Sequence, residues 1–149
     1  MIINLLKLAK PIRETRRETY EVNLKGVRMT KPTGPTNPIL RKLARKLRAK
    51  GKELDVSLWE DLADELLKPR RSRAEVNLSR LNRYASEGDT IAVPGKVLGA
   101  GKLDFPLKVA AFKFSSRVRR KIQSAGGQAM EIGELLEENP EGKGVILME

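Results

Sequence analysis

Apolar residues first recur at helical spacing after residue 37, where Leu40, Leu43, Ala44 and Leu47 fall on one face of a helix. Asn37 suits the N-cap, Pro38 the first helical position, and Gly51 can close the helix. A second helix is expected from Ser57, because Ser57-Leu58-Trp59-Glu60 has the capping-box pattern. Leu58, Leu62 and Leu66 form its apolar stripe, and Pro69 ends it. Trp59, beside that stripe, reads as a core residue rather than a base-stacking one. Asn77 can cap a third helix through Leu78, Leu81, Tyr84 and Ala85, ended by Gly88.

From Asp89 the period changes. Thr90 to Val93 is strand-like, and Leu107 to Phe114 is the strongest strand pattern. Ser115 opens a helix carrying Val118 and Ile122, which ends at Gly126-Gly127. A short strand at Gln128 to Glu131, a helix around Gly133 to Glu138, a turn at Asn139 to Gly142 and a strand at Val145 to Met148 complete the body. Strands alternating with helices imply parallel pairing and an α/β layer. Residues 1–28 show no sustained period. Their apolar start is interrupted by Lys7, Lys10 and Pro11, so it matches neither a signal peptide nor a membrane span. They read as a basic extension, poorly ordered, or as a mis-set start ahead of an internal Met29. Residues 29–149 read as a single domain, with a basic helical part at 29–88 and an α/β body at 89–149.

Composition narrows the chemistry. The chain has 149 residues, no Cys, no His and a net charge of +11. Zinc sites, disulfides and Cys-His or Ser-His nucleophile systems are thereby excluded, leaving only hard carboxylate sites for a metal. The charge is uneven: residues 1–28 carry +4, 29–73 carry +6, 74–114 carry +2 and 115–149 carry −1. A polyanionic partner for the first half is the direct implication.

Two clusters concentrate that charge. On the first helix Arg41, Lys42, Arg45, Lys46 and Arg48 are followed by Lys50 and Lys52, with no acid from 38 to 52, so like charges repel unless an anion screens them. In Lys68-Pro69-Arg70-Arg71-Ser72-Arg73 four cations surround a proline on a loop, and guanidinium forks there can grip phosphates. The glycines between 95 and 101 fail both nucleotide-binding spacings. Counting back five from Gly101-Lys102 gives Lys96 and not Gly, and a dinucleotide fingerprint would need a small residue where Asp104 stands. They read instead as turns permitting close backbone approach, to RNA or to the protein's own sheet, with Lys96 and Lys102 as added cations. Arg117, Arg119 and Arg120 can also reach phosphate. Asp61, Asp64 and Glu65 read as a solvated helix face; a magnesium-dependent RNA-processing enzyme and an architectural DNA-binding protein are the rival readings.

Three motifs in order carry a resemblance. Lys68-Pro69-Arg70-Arg71-x-x-Ala74-Glu75-Val76-Asn77, Val93-Pro94-Gly95-Lys96-Val97-Leu98-Gly99-x-Gly101 and Asn139-Pro140-x-Gly142 make residues 29–149 similar to the archaeal and eukaryotic large-subunit ribosomal protein family L-eighteen-e, related to the universal L-fifteen proteins. The resemblance implies a cytoplasmic, non-enzymatic constituent of the large ribosomal subunit that binds its ribosomal RNA and adjoins other ribosomal proteins. It implies no cofactor, no membrane and no small-molecule substrate. It also implies an α/β body of irregular strand-strand-helix turns behind a basic amino-terminal part. Lys68, Arg70, Arg71 and Lys96 become RNA contacts by matching the motifs, while Arg41, Lys42, Arg45, Lys46, Arg48, Arg73 and Lys102 rest on charge. Residues 1–28 exceed the usual archaeal extent, and the short end after Pro140 resembles the archaeal type.

Overall fold

The computed structural model describes residues 34–149. The expectations for residues 1–28 and for the opening at Met29 lie outside the described residues.

Helix α1 (Pro38–Leu54) begins as its sequence dictates, with the Asn37 side chain accepting from the Ile39 amide at 3.0 Å. Leu40, Ala44 and Leu47 are buried on one face. Gly51 does not end it. The helix runs on to Leu54 and closes at Asp55 in the left-handed region, φ 56°. Gly51 is small for another reason: a Cβ there would lie 3.1 Å from the Val56 carbonyl and 3.3 Å from the Trp59 Cβ. A bare glycine lets the chain fold back tightly into helix α2 (Ser57–Leu66). The expected capping box at Ser57 is not formed, because Val56 occupies the cap position and Ser57 is already helical.

After a 3-10 turn (Arg70–Ser72) come strand β1 (Glu75–Asn77), helix α3 (Leu78–Tyr84), strands β2 (Thr90–Leu98) and β3 (Lys108–Phe114), and helix α4 (Val118–Ser124). Strand β4 (Gln128–Glu131), helix α5 (Ile132–Glu138) and strand β5 (Val145–Leu147) follow. Every strand pair is parallel. The order is β1-β2-β3-β4, with β5 also on β2. The two short strands divide one edge of β2, β5 taking Thr90–Ala92 and β1 taking Lys96–Leu98. The fold is therefore α/β, a basic helical region leading into a parallel sheet. The link from β2 to β3 carries no helix. Nine residues, 99–107, make the return as irregular chain, anchored by Leu103 and Leu107, both buried.

Alternation along the strands separates two cores. Ala92, Ala110 and Met130 face α1, α2 and α5, whose Leu40, Leu47, Trp59, Leu62, Leu66 and Leu135 supply the bulk. Ile91, Val93, Val97, Val109 and Ala111 face the other way, against Leu78 and Leu81 of α3 and Val118 and Ile122 of α4. Small strand residues lie under large helical ones in the first layer, while aliphatic residues of both strands and helices fill the second. Trp59 is fully buried, as its stripe suggested, and its indole N–H donates to the Pro140 carbonyl at 2.7 Å. The Asn139-Pro140 motif thus closes the core over α2. The capping box absent from α2 stands at α5, between Glu131 and Glu134.

Candidate nucleic-acid interface

The β1–β2 ladder joins the two basic motifs. Glu75, Val76 and Asn77 pair with Lys96, Val97 and Leu98, and the Lys96 amide donates to the Ala74 carbonyl at 3.0 Å. That carbonyl lies 1.9 Å from where a Cβ on Gly95 would stand. Only glycine admits this approach, so Gly95 seats the basic turn on the sheet edge beside Lys96. The reading of these glycines left open between RNA and the protein's own sheet resolves at this position to the sheet. Gly101 behaves alike: at φ +94°, its Cβ would meet the Ser79 Cβ at 2.5 Å, and the Ser79 amide donates to the Ala100 carbonyl at 3.0 Å.

The turn is braced from within. The Ser72 amide donates to the Pro69 carbonyl at 2.8 Å, and the Arg73 Nε to the Lys68 carbonyl at 3.2 Å. Lys68 pairs with Glu65 at 2.5 Å, a hydrogen bond that holds its ammonium pKa above the ordinary lysine value. Arg70 and Arg71 are exposed and have no ion pair among the described residues. They project from a braced turn with their forks uncommitted among the described residues, the arrangement suited to bidentate capture of phosphate.

The helix cations divide. The Arg41 Nε donates to the Pro35 carbonyl at 2.6 Å, Lys46 pairs with Glu137 at 2.6 Å, and Arg48 pairs with Asp64. The Lys46 partnership lowers the Glu137 pKa from the usual carboxylate range, first through the hydrogen bond and then through charge attraction. Lys42 and Arg45 are exposed without an ion pair among the described residues, as are Lys96 and Lys102. Of the cations expected to meet RNA, Lys42, Arg45, Arg70, Arg71, Lys96 and Lys102 remain available among the described residues, while Arg41, Lys46, Arg48, Lys68 and Arg73 also serve the fold.

Further cations escaped the sequence reading. Arg80 and Arg83 are exposed on α3 next to the Gly99–Lys102 turn, to which Ser79 is bonded. The signal was present, since residues 76–86 contain no acid. Tyr84, placed by its spacing in the buried stripe, is 65 % exposed because α3 ends there and Ala85 turns extended. Lys121 has an internal role, its ammonium donating to the Gly99 and Gly101 carbonyls at 2.7 and 2.9 Å. Arg117 and Arg120 are exposed, and the Arg119 guanidinium sits 5.0 Å from the centre of the Phe114 ring. Asp64 and Glu65 are occupied by Arg48 and Lys68, and among the described residues no group of carboxylates is arranged to hold a metal. None of the described helices is long and apolar enough to cross a membrane.

The chain is 50 % identical to the large ribosomal subunit protein eL18 of Methanopyrus kandleri, across 79 % of this chain and 97 % of that one. It is 44 % identical to the protein of that name from Methanothermobacter thermautotrophicus, across 81 % and 100 % respectively. The Methanoregula boonei protein is 46 % identical over 80 % of this chain and 99 % of its own. A family model described as "Ribosomal protein 60S L18 and 50S L18e" matches residues 14–149, reaching further toward the amino terminus than the three motifs do. With that match across nearly the whole chain, beside relatives of this similarity, the protein belongs to the ribosomal protein family of 60S L18 and 50S L18e.

Proposed function

We propose that the protein is a structural constituent of the large ribosomal subunit in the cytoplasm, that it binds large-subunit ribosomal RNA by its phosphates, and that it acts without turnover. In this reading residues 29–149 work as one domain, residues 1–28 are a basic extension, and neighbouring ribosomal proteins are further partners. The observation that carries it is the seating of the Arg70-Arg71 turn beside Lys96, three cations without an ion pair among the described residues, brought together by the β1–β2 ladder. An exposed like-charged cluster is a liability to a protein alone and an asset to one that meets a polyanion.

Recognition then depends on where phosphates lie. The major groove of A-form RNA is too narrow to admit a helix, so shape and unstacked nucleotides supply specificity. If about six phosphates are neutralised, matching the six available cations, the binding constant falls with salt at a log-log slope of about −4 to −5. Filter binding of in vitro transcribed large-subunit ribosomal RNA across a salt series measures it. A slope near zero, or preference for duplex DNA over folded ribosomal RNA at physiological salt, defeats the reading.

A further inference from the structure

The β2–β3 ladder contains a bulge. Val93 pairs with Ala111, but the next recorded partners are Lys96 and Lys113, so Pro94-Gly95 inserts one residue on the β2 side. The bulge places two exposed lysines directly opposite each other on parallel strands about 4.8 Å apart. Neither has an ion pair among the described residues. Glu75, across from Lys96 on the other side, forms none either among the described residues. Like charges opposed on neighbouring strands repel. Two ammonium groups so held can share one anion.

Lys113 also lines a groove of about 300 Å³ between the start of α1, the end of β3 and the start of α5. Ile39, Leu43, Phe112 and Ile132 form its apolar walls. Ile39 is 70 % exposed, although it begins a well-packed helix, and Phe112 is half-buried with the Lys113 ammonium 5.9 Å from its ring centre. The carboxylate on the rim, Glu131, is engaged in the α5 capping box. The volume is at the lower end for clefts that take small organic groups, about 300–1,000 Å³.

An aromatic face and aliphatic walls beside a cation pair fit a flat apolar ring joined to an anion. We propose that this groove holds one unstacked nucleotide of RNA, its base against Phe112 and Ile39, its phosphate between Lys96 and Lys113. The site rests on the RNA-binding reading above and adds to it a place where a single base is read out of the helix. Base stacking on an aromatic side chain needs no base identity, so the site selects for a splayed nucleotide rather than for a sequence.

The test uses the full chain and in vitro transcribed large-subunit ribosomal RNA. Ultraviolet crosslinking of the unaltered protein followed by mass spectrometry should place a nucleotide adduct on the peptide carrying Phe112. Lys113→Gln should lower the salt slope in magnitude by about 0.7–0.9, the value of one lost phosphate contact. It should leave the melting temperature of the free protein unchanged or higher, since a repulsion is removed. Ile39→Asn should weaken binding by about fivefold or more with the slope unchanged, because it removes apolar contact and no charge. Adducts confined to other peptides overturn the site while leaving the RNA-binding reading intact. Two variants that bind as the unaltered protein does have the same consequence. Failure of the unaltered protein to bind this RNA at all would remove both.

Discussion

The cations of α1 and those of the Arg70–Ser72 turn are equally dense in the sequence, yet the fold treats them differently. Along α1, Lys46 meets Glu137 from α5 and Arg48 meets Asp64 from α2, so part of the positive face is neutralised by the protein itself. On the turn, the bracing bonds run between backbone groups and from the Arg73 Nε to the Lys68 carbonyl, and the side chains of Arg70 and Arg71 take no part in them. A charge run on a helix that packs in the body can find carboxylates from distant elements. One on a tight turn at the sheet edge is held clear of them. Counting cations along a chain therefore overstates what a helix offers a polyanion; at the loop the count holds for Arg70 and Arg71 but not for Lys68, paired with Glu65, or for Arg73, bonded to the Lys68 carbonyl.

The sharpest way to break this contrast is to unseat the turn. Gly95→Ala forces a Cβ into the Ala74 carbonyl, so β1 must leave β2 or the strand must shift; a loss of about 3 kcal/mol or more is expected in chemical denaturation. RNA affinity should fall with it, since the turn and Lys96 lose their common ladder. Wild-type stability in this variant would mean that the sheet edge is not what positions the cluster.

Next in size is the paired substitution Arg70→Ala with Arg71→Ala. Both side chains are exposed and without a bond among the described residues, so the melting temperature should hardly change, while lost charge-assisted contacts of about 1.5–3 kcal/mol each lower RNA affinity at least tenfold. Filter binding and thermal melts on the same preparation separate the two effects. A large stability loss with unchanged affinity would make these arginines structural.

A smaller effect is expected within α1. Replacing Lys42 and Arg45 by Ala should weaken RNA binding more than replacing Lys46 and Arg48, because the second pair already holds carboxylates. Equal losses from both would show that RNA displaces the internal partners. The smallest effect concerns pH. The Glu137 pKa is lowered in the folded protein, so its contribution to stability is present above the ordinary carboxylate range of about 4.3 and fades as pH falls through the lowered value. Both partners are exposed, so Glu137→Gln should remove only a slight part of the acid dependence of the melt.

Local signals were legible where local forces decide. Asn37-Pro38 starts a helix because its cap needs only its own first turn, and the stripe through Leu40, Ala44 and Leu47 is buried as its period requires. Parallel pairing followed from strands alternating with helices, and Trp59 went to the core with the leucines beside it. Ser57 misled because a capping box depends on which residue is the last extended one, and tight packing at Gly51 moved that place to Val56. Arg80 and Arg83 were legible but overlooked. Lys121, whose ammonium ties down the Gly99 and Gly101 carbonyls, carried no signal that would separate it from the surface cations around it.

The sequence alone determined the helix faces, the positions of strands β2 to β5, the excess of positive charge before residue 74, and the chemistries that an absence of Cys and His forbids. Each of these depends on spacing or composition, which are local or additive. Tertiary structure decided which cations remain available, what Gly95 and Gly101 approach, and that Lys96 stands opposite Lys113. Those depend on residues far apart in the chain meeting in space, as when Lys46 reaches a carboxylate 91 positions away, and no window along the chain contains both partners.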